Sequence, residues 1–154
     1  MRPVFFAVVL CFAVAAKAEM APRDGWAVHH TAKDHATLLD DLKAAVKANK
    51  MGVVTQAGPT GTARARGIEI PENRVVGVFN NDFAVKILAL STPAMIEAPI
   101  RFYVTENADG TATLSYKTPS FVFSAYIAEG GDALKNLAAD LDSRFATIAE
   151  EAMR

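Results

Sequence analysis

Polar and apolar residues alternate along three segments of the chain, which is the pattern expected of strands with one buried face. These segments are Gly25 to Thr31, Ile100 to Thr105 and Ala112 to Lys117. The last two flank the turn Asn107 to Gly110. This arrangement predicts a β-hairpin in which Gly110 supplies the positive φ that such turns require.

Two shorter apolar runs, Val53 to Ala57 and Arg74 to Phe79, predict further strands. The second run is apolar on both faces, so it belongs inside a sheet. A single layer of helices covers only one face of a sheet. The other face of this strand therefore needs a cover, which is supplied by loops, by a ligand or by a second copy of the chain.

Apolar residues at intervals of three and four predict two long amphipathic helices. Their apolar stripes are Leu38, Leu42, Ala45 and Val46 in the first helix, and Leu134, Leu137, Leu141, Phe145 and Ile148 in the second. Thr31 and Asp34 form a capping box at the start of the first helix. Asp132 caps the second helix after a break at Gly130 and Gly131.

A shorter helix is predicted from Asp82 to Leu90, directly after the valine-rich strand. The next segment, Ala94 to Ala98, lies between two prolines and is either helical or irregular. Between Gly58 and Gly67 the glycines and a proline favour a flexible connection over a stable helix, with at most one helical turn.

The order of these elements predicts the α+β fold class, because the strands cluster around an adjacent hairpin. We expect a largely antiparallel sheet of four to five strands. Two long helices should pack on one face of this sheet, and a short helix should follow the central strand.

Residues 1–18 have the features of a secretory signal peptide. Arg2 is basic, Val4 to Ala16 are apolar, and small residues flank Lys17. We expect cleavage after Ala18, which places the mature protein in the periplasm or outside the cell.

Cys11 is the only cysteine, and it raises the alternative of a lipoprotein signal. A lipid-acceptor cysteine normally follows a small residue at the end of the apolar run, whereas Cys11 follows Leu10 and lies inside the run. Ordinary cleavage is therefore favoured. It leaves a mature chain without cysteine, which excludes disulfides and thiolate chemistry.

We divide the chain into the signal peptide (1–18), a polar leader (19–24) and one domain (25–154), which is long enough to bury a core without disulfides. The sequence has 16 basic and 17 acidic residues and no basic cluster, so a nucleic-acid partner is not expected. After cleavage no membrane span is expected, because a span needs about 20 apolar residues.

Aromatic residues gather late in the chain, next to basic residues on the polar positions of the hairpin. An apolar lining with a few polar groups is typical of small-molecule sites, although the same residues also suit an ordinary core. The candidate ligand-binding residues, for a small apolar or anionic ligand, are Asn81, Arg101, Tyr103, Tyr116 and Phe123.

Asn80, Asn81 and Asp82 follow the valine-rich strand and admit two interpretations. Asn and Asp side chains bond readily to nearby backbone amides, so the three residues suit a structural corner in which Asp82 caps the next helix. Loops at strand ends also often carry sites. In that case Asn81 and Asp82 line the mouth of a pocket.

Three histidines suggest a metal site as an alternative, because imidazole is a common ligand of zinc and copper. His29 and His30 point to opposite faces of a strand, so only one of them can meet His35. The metal hypothesis uses His30 with His35, at a spacing that matches no metal motif. No cofactor is predicted, and no nucleophile elbow or phosphate-binding loop occurs.

Several local motifs resemble the DUF302 family. They are the turn Gly67 to Pro71 into the valine-rich strand, the asparagine corner, Ala98-Pro99 before a strand, and the hairpin ENADGTATLSYKTP. The resemblance covers Trp26 to the C-terminus and implies an α+β domain of unassigned function whose members tend to form dimers. The family corner is usually Gly-Asn-Pro, of which only Asn81 is present here, and no catalytic roles come with the family.

From these patterns and the resemblance we expect a secreted or periplasmic binding or interaction module, most simply a homodimer, rather than an enzyme. A metal-handling protein that uses the histidines is the second hypothesis. An enzyme without a recognisable motif is the third.

Overall fold

The computed structural model describes residues 20–154, so the predicted signal peptide, with Cys11, lies outside the described residues. The strands are β1 (Trp26–His30), β2 (Gly52–Ala57), β3 (Asn73–Phe79), β4 (Ile100–Glu106) and β5 (Ala112–Lys117). The helices are α1 (His35–Ala48), α2 (Thr60–Ala65), α3 (Asn81–Leu90), α4 (Pro119–Phe123) and α5 (Ile127–Met153). Two short 3₁₀ segments, Pro93–Glu97 and Ser124–Tyr126, complete the order.

One antiparallel sheet contains all five strands, in the order β1-β5-β4-β3-β2. β4 and β5 form the predicted hairpin, and Gly110 in its turn has a φ of 83°. The valine-rich strand β3 lies inside the sheet between β2 and β4. The predicted α+β class and antiparallel sheet are confirmed.

The two long helices pack against one face of the sheet through the predicted stripes. Leu38 of α1 and Leu134 of α5 have no exposed surface. The Phe145 ring of α5 stacks on Phe102 of β4 with the ring centroids 4.6 Å apart. Full burial of such a side chain contributes about 1.5–3 kcal/mol relative to exposure, so these contacts are a main source of stability.

The opposite surface of the sheet is named the open face. Side chains alternate along a strand, so the open face receives the residues of β4 and β5 that lie between the core residues. The middle row of this face crosses the sheet through paired positions of neighbouring strands: Val28, Ser115, Tyr103, Val75 and Ala57. The next row contains Trp26, paired with Lys117, and Arg101, paired with Gly77.

The cap of α1 differs from the prediction in one residue. The side chain of Asp34 caps α1 by accepting a hydrogen bond of 2.8 Å from the Thr37 amide. Thr31 instead donates its hydroxyl hydrogen to the Ala112 carbonyl at 2.9 Å, which ties the end of β1 to β5. The predicted capping box of Thr31 with Asp34 is therefore wrong, because Asp34 is itself the N-cap and α1 begins at His35.

Residues 58–67, predicted as a flexible connection, contain helix α2. Tertiary contacts outweigh the low helix propensity of this segment. Thr60 is buried, its hydroxyl donates to the Pro71 carbonyl at 3.2 Å, and the Asn73 side chain donates to the same hydroxyl at 3.1 Å.

Helix α5 is interrupted at the predicted glycine break, where Gly131 has the non-helical angles φ 58° and ψ −154°. The apolar run after Thr118 forms the short helix α4. Among residues 20–154, none of the helices combines the length and the apolar character needed to span a membrane.

Candidate functional site

A groove with a cavity of about 490 Å³ lies at one end of the open face. Its volume is in the range of small-molecule sites, about 300–1,000 Å³. The residues that give it its character are Trp26, Glu97, Arg101, Tyr103, Lys117 and Phe121.

Four neighbouring strands, β1, β5, β4 and β3, contribute to the floor of the groove. Phe102 of β4 is buried against the helices, so its neighbours Arg101 and Tyr103 point to the open face. Trp26 of β1 lies directly opposite Lys117 of β5. The floor therefore combines cationic and aromatic side chains that a twisted antiparallel sheet holds in fixed register.

Two segments outside the sheet form the walls. Residues 93–99 fold over β3, where a Cβ atom on Gly77 would lie only 2.9 Å from Cγ of Pro99. This close approach places Glu97 at the groove. On the other side the Phe121 ring of α4 packs against Gly25, which has a φ of 73° and no room for a side chain.

Cationic groups surround the indole of Trp26. The guanidinium carbon of Arg23 lies 5.2 Å from the ring centroid, and Nζ of Lys117 lies 5.8 Å from it. Both distances are within the range of cation–π attraction. Within residues 20–154 neither Arg101 nor Lys117 takes part in a salt bridge. The groove can therefore offer two cations to an anionic group.

Glu97 is the carboxylate of the groove, and Tyr126 holds it in place. The Tyr126 hydroxyl donates a hydrogen bond of 2.8 Å to Oε1 of Glu97. This bond, more than partial burial, raises the pKa of Tyr126 above its usual value. Tyr126 thus remains protonated at neutral pH and acts as a donor to the carboxylate.

The structure separates the predicted ligand-binding residues into three places. Arg101 and Tyr103 lie in the groove. Tyr116 and Phe123 are buried on the helix side of the sheet, and the Tyr116 ring centroid lies 5.0 Å from that of Phe102. Asn81 is exposed at the start of α3 and is not part of the groove lining.

The asparagine corner acts as a helix cap. Oδ1 of Asn80 accepts hydrogen bonds from the amides of Asp82 and Phe83 at 2.9 and 3.1 Å. Nδ2 of Asn80 donates to the Lys50 carbonyl at 2.8 Å. The prediction that Asp82 caps α3 was wrong, because the capping residue precedes the helix and Asp82 lies inside its first turn.

The sheet separates the histidines of the metal hypothesis. Nδ1 of His30 is hydrogen-bonded to Thr113 Oγ1 at 3.0 Å on the open face. His35 begins α1, which packs on the other face. Among residues 20–154 there is no group of three or more His, Cys, Asp or Glu side chains arranged to hold a metal ion.

Burial lowers the pKa of two histidines. Loss of hydration lowers the pKa of His29, and Glu150 opposes this effect only partly. Loss of hydration also lowers the pKa of His35, with Glu72 and Arg74 acting in opposite directions. Nε2 of each ring is buried and accepts no hydrogen bond within the described part of the chain.

Four of the residues that give the groove its character are not among the predicted candidates: Trp26, Glu97, Lys117 and Phe121. A signal for one of them was present, because Lys117 occupies a polar position of an alternating segment. Glu97 and Phe121 come from a 3₁₀ segment and a short helix, and their approach to the sheet depends on how those segments fold back.

Comparisons with known proteins agree on a family. The family model described as "Domain of unknown function DUF302" matches residues 27–152. The crystal structure of an uncharacterized conserved DUF302 protein from Bacillus stearothermophilus is similar to the chain at a TM-score of 0.74 and 19% identity. The similarity covers 86% of this chain and 100% of that one. No curated protein matches the chain.

Proposed function

Since this chain belongs to the DUF302 family, whose domain is of unknown function, we propose from its geometry that it is a binding module for a small anionic ligand with an apolar part. One observation carries the proposal. Arg101 and Lys117, which form no salt bridge within residues 20–154, line one groove together with Trp26, and Lys117 lies beside its indole.

The expected contribution of each cation is modest. Charge-assisted hydrogen bonds contribute about 1.5–3 kcal/mol in shielded sites. Arg101 and Lys117 are exposed, so we expect about 1 kcal/mol from each. The flat surfaces of Trp26 and Phe121 add apolar contact, and aromatic residues give such contact with little loss of conformational freedom.

Binding is favoured over covalent catalysis by the composition of the groove. A Ser, Thr or Cys nucleophile needs an adjacent general base, and the described lining of the groove contains none of these three residue types. The residues that line the groove are aromatic and aliphatic, with Arg101, Lys117 and Glu97 as the charged groups. This set recognises a charge and an apolar surface.

We also propose that the protein acts as a homodimer through the middle row of the open face. Val28, Tyr103 and Val75 in this row are half-buried, while α1 and α5 lie on the other face of the sheet. A second copy would cover these side chains. Tyr103 and Val75 of this row also line the groove, so a second copy on this row would border the ligand-binding surface.

A location outside the cytoplasm is part of the same proposal, and it rests on the signal-peptide pattern of residues 1–18. Protein isolated from the cell envelope should begin at Glu19 when its N-terminus is sequenced. A chain that retains Met1 would contradict export by this route.

The groove can be tested with an internal probe, because Trp26 is the only tryptophan in the sequence. We expect 3-phenylpropionate to change the fluorescence of Trp26 in a saturable way. Arg101→Met should weaken this binding at least about fivefold, which corresponds to about 1 kcal/mol. Lys135→Met, an exposed change on α5, is the matched control and should leave the affinity unchanged.

Two results would overturn the proposed function. One is the absence of any saturable change up to about 10 mM probe, since weaker binding is below the range of specific small-molecule sites. The other is an equal affinity in the wild type and in Arg101→Met.

A further inference from the structure

Charges of both signs face the groove without neutralising one another. Arg101, Lys117 and Glu97 all line the same cavity. Within residues 20–154 the salt bridges join other residues, so neither cation is in ion-pair contact with Glu97. Opposite charges that share a cavity but do not pair leave room for a ligand that carries both complementary charges.

The structure keeps the Glu97 carboxylate available to a ligand. Tyr126 occupies Oε1 through its hydroxyl, at 2.8 Å. Oε2 receives no hydrogen bond from residues 20–154. A carboxylate accepts several hydrogen bonds, so Glu97 retains capacity for a cationic donor while Tyr126 fixes its orientation. A simple anion would leave this carboxylate unpaired and would be repelled by it.

We propose that the groove binds a zwitterion, namely a free α-amino acid with an aromatic or large apolar side chain. Its carboxylate is held by Arg101 and Lys117 and its ammonium group by Glu97. Its side chain lies against Trp26 and Phe121. This inference rests on the proposed binding function of the groove and specifies its ligand class.

The size of the cavity agrees with this class. A cavity of about 490 Å³ accommodates one aromatic amino acid with some water. In an α-amino acid the two charged groups are attached to the same carbon of one small molecule, so both can be satisfied inside one groove. In a longer peptide the terminal charges are separated by the chain.

Three related compounds separate the two charges experimentally. Phenylalanine carries both charges, 3-phenylpropionate lacks the ammonium group, and 2-phenylethylamine lacks the carboxylate. Isothermal titration of the purified protein should show that phenylalanine binds at least about fivefold more tightly than either analogue, as expected for one exposed charge contact.

Glu97→Gln provides the matching variant, because glutamine keeps an acceptor for Tyr126 and loses the charge. The advantage of phenylalanine over 3-phenylpropionate should disappear in this variant, and the affinity for 3-phenylpropionate should not fall. Glu69→Gln, an exposed carboxylate outside the groove lining, is the control and should retain the wild-type order of affinities.

The outcomes distinguish this inference from the proposed function. If 3-phenylpropionate binds as tightly as phenylalanine, or if Glu97→Gln leaves the preference intact, the zwitterion is excluded while the anion-binding groove stands. If none of the three compounds binds, both are overturned.

Discussion

Trp26 and Lys117 are paired across the edge of the sheet, and the Lys117 ammonium lies 5.8 Å from the centre of the indole ring. The pairing brings a cation and an aromatic surface to the same point of the groove. Because the two residues come from β1 and β5, the first and the last strand in chain order, the fold creates a contact that local sequence does not contain.

Lys117→Met should weaken the binding of 3-phenylpropionate about fivefold, because it removes one of the two cations and keeps a similar apolar stem. Fluorescence titration of Trp26 measures this change. The loss should shrink at high salt, where the charge contact is screened in the wild type. An affinity that is unchanged at low salt would show that Lys117 does not meet the anion.

Asn80→Ala should destabilise the protein by about 1–2 kcal/mol, because it removes the cap of α3. The same substitution removes the hydrogen bond to the Lys50 carbonyl. Asn81→Ala is the matched control. Asn81 is exposed in the first turn, so its replacement should change stability by less than about 0.5 kcal/mol. Urea unfolding of both variants measures which of the two asparagines stabilises the folded protein.

Stability should decrease as the pH falls below 6.5, the ordinary pKa of histidine. Burial lowers the pKa of His29 and His35 in the folded state. At a pH between 6.5 and the lowered pKa values, the unfolded chain binds more protons than the folded chain, so acid favours unfolding. Below the folded-state pKa values, the contribution of the two neutral histidines to the free energy of unfolding is lost completely.

The pH effect can be assigned with His35→Gln. Urea midpoints measured at about pH 7.5 and about pH 5.5 should differ less in this variant than in the wild type. NMR titration of the His35 ring gives the pKa directly. A His35 ring that titrates at 6.5 or above would contradict the burial argument.

Val28→Lys should convert the proposed dimer to a monomer, because it places a charge in the middle row of the open face. Light scattering with size-exclusion chromatography measures the mass. Val85→Lys is the control, since Val85 is 62% exposed on α3 and is not part of the middle row. A wild-type monomer at all concentrations would exclude assembly through this row.

Most of the fold follows from local patterns in the sequence. The alternation in β4 and β5 and the stripes that include Leu38 and Phe145 predicted the hairpin and the two long helices. Helix α2 did not follow, because glycine and threonine give it low propensity and its stability comes from Thr60 contacts with distant residues.

Only part of the candidate site could be predicted from the sequence. Arg101 and Tyr103 were selected because they lie on the polar positions of an evident strand. Tyr116 and Phe123 were selected with them because they are aromatic, yet Tyr116 alternates to the buried face. Glu97 depends on the fold of residues 93–99 over the sheet, which no periodicity encodes.

The most direct test of the groove as a ligand site is an NMR titration of the ¹⁵N-labelled protein with 3-phenylpropionate. We predict saturable shift changes that are largest for the Trp26 indole and for the amides of Arg101, Lys117 and Phe121. Changes that centre on His35 and Glu72, which line a separate cavity, or an unchanged spectrum up to about 10 mM probe, would contradict the assignment.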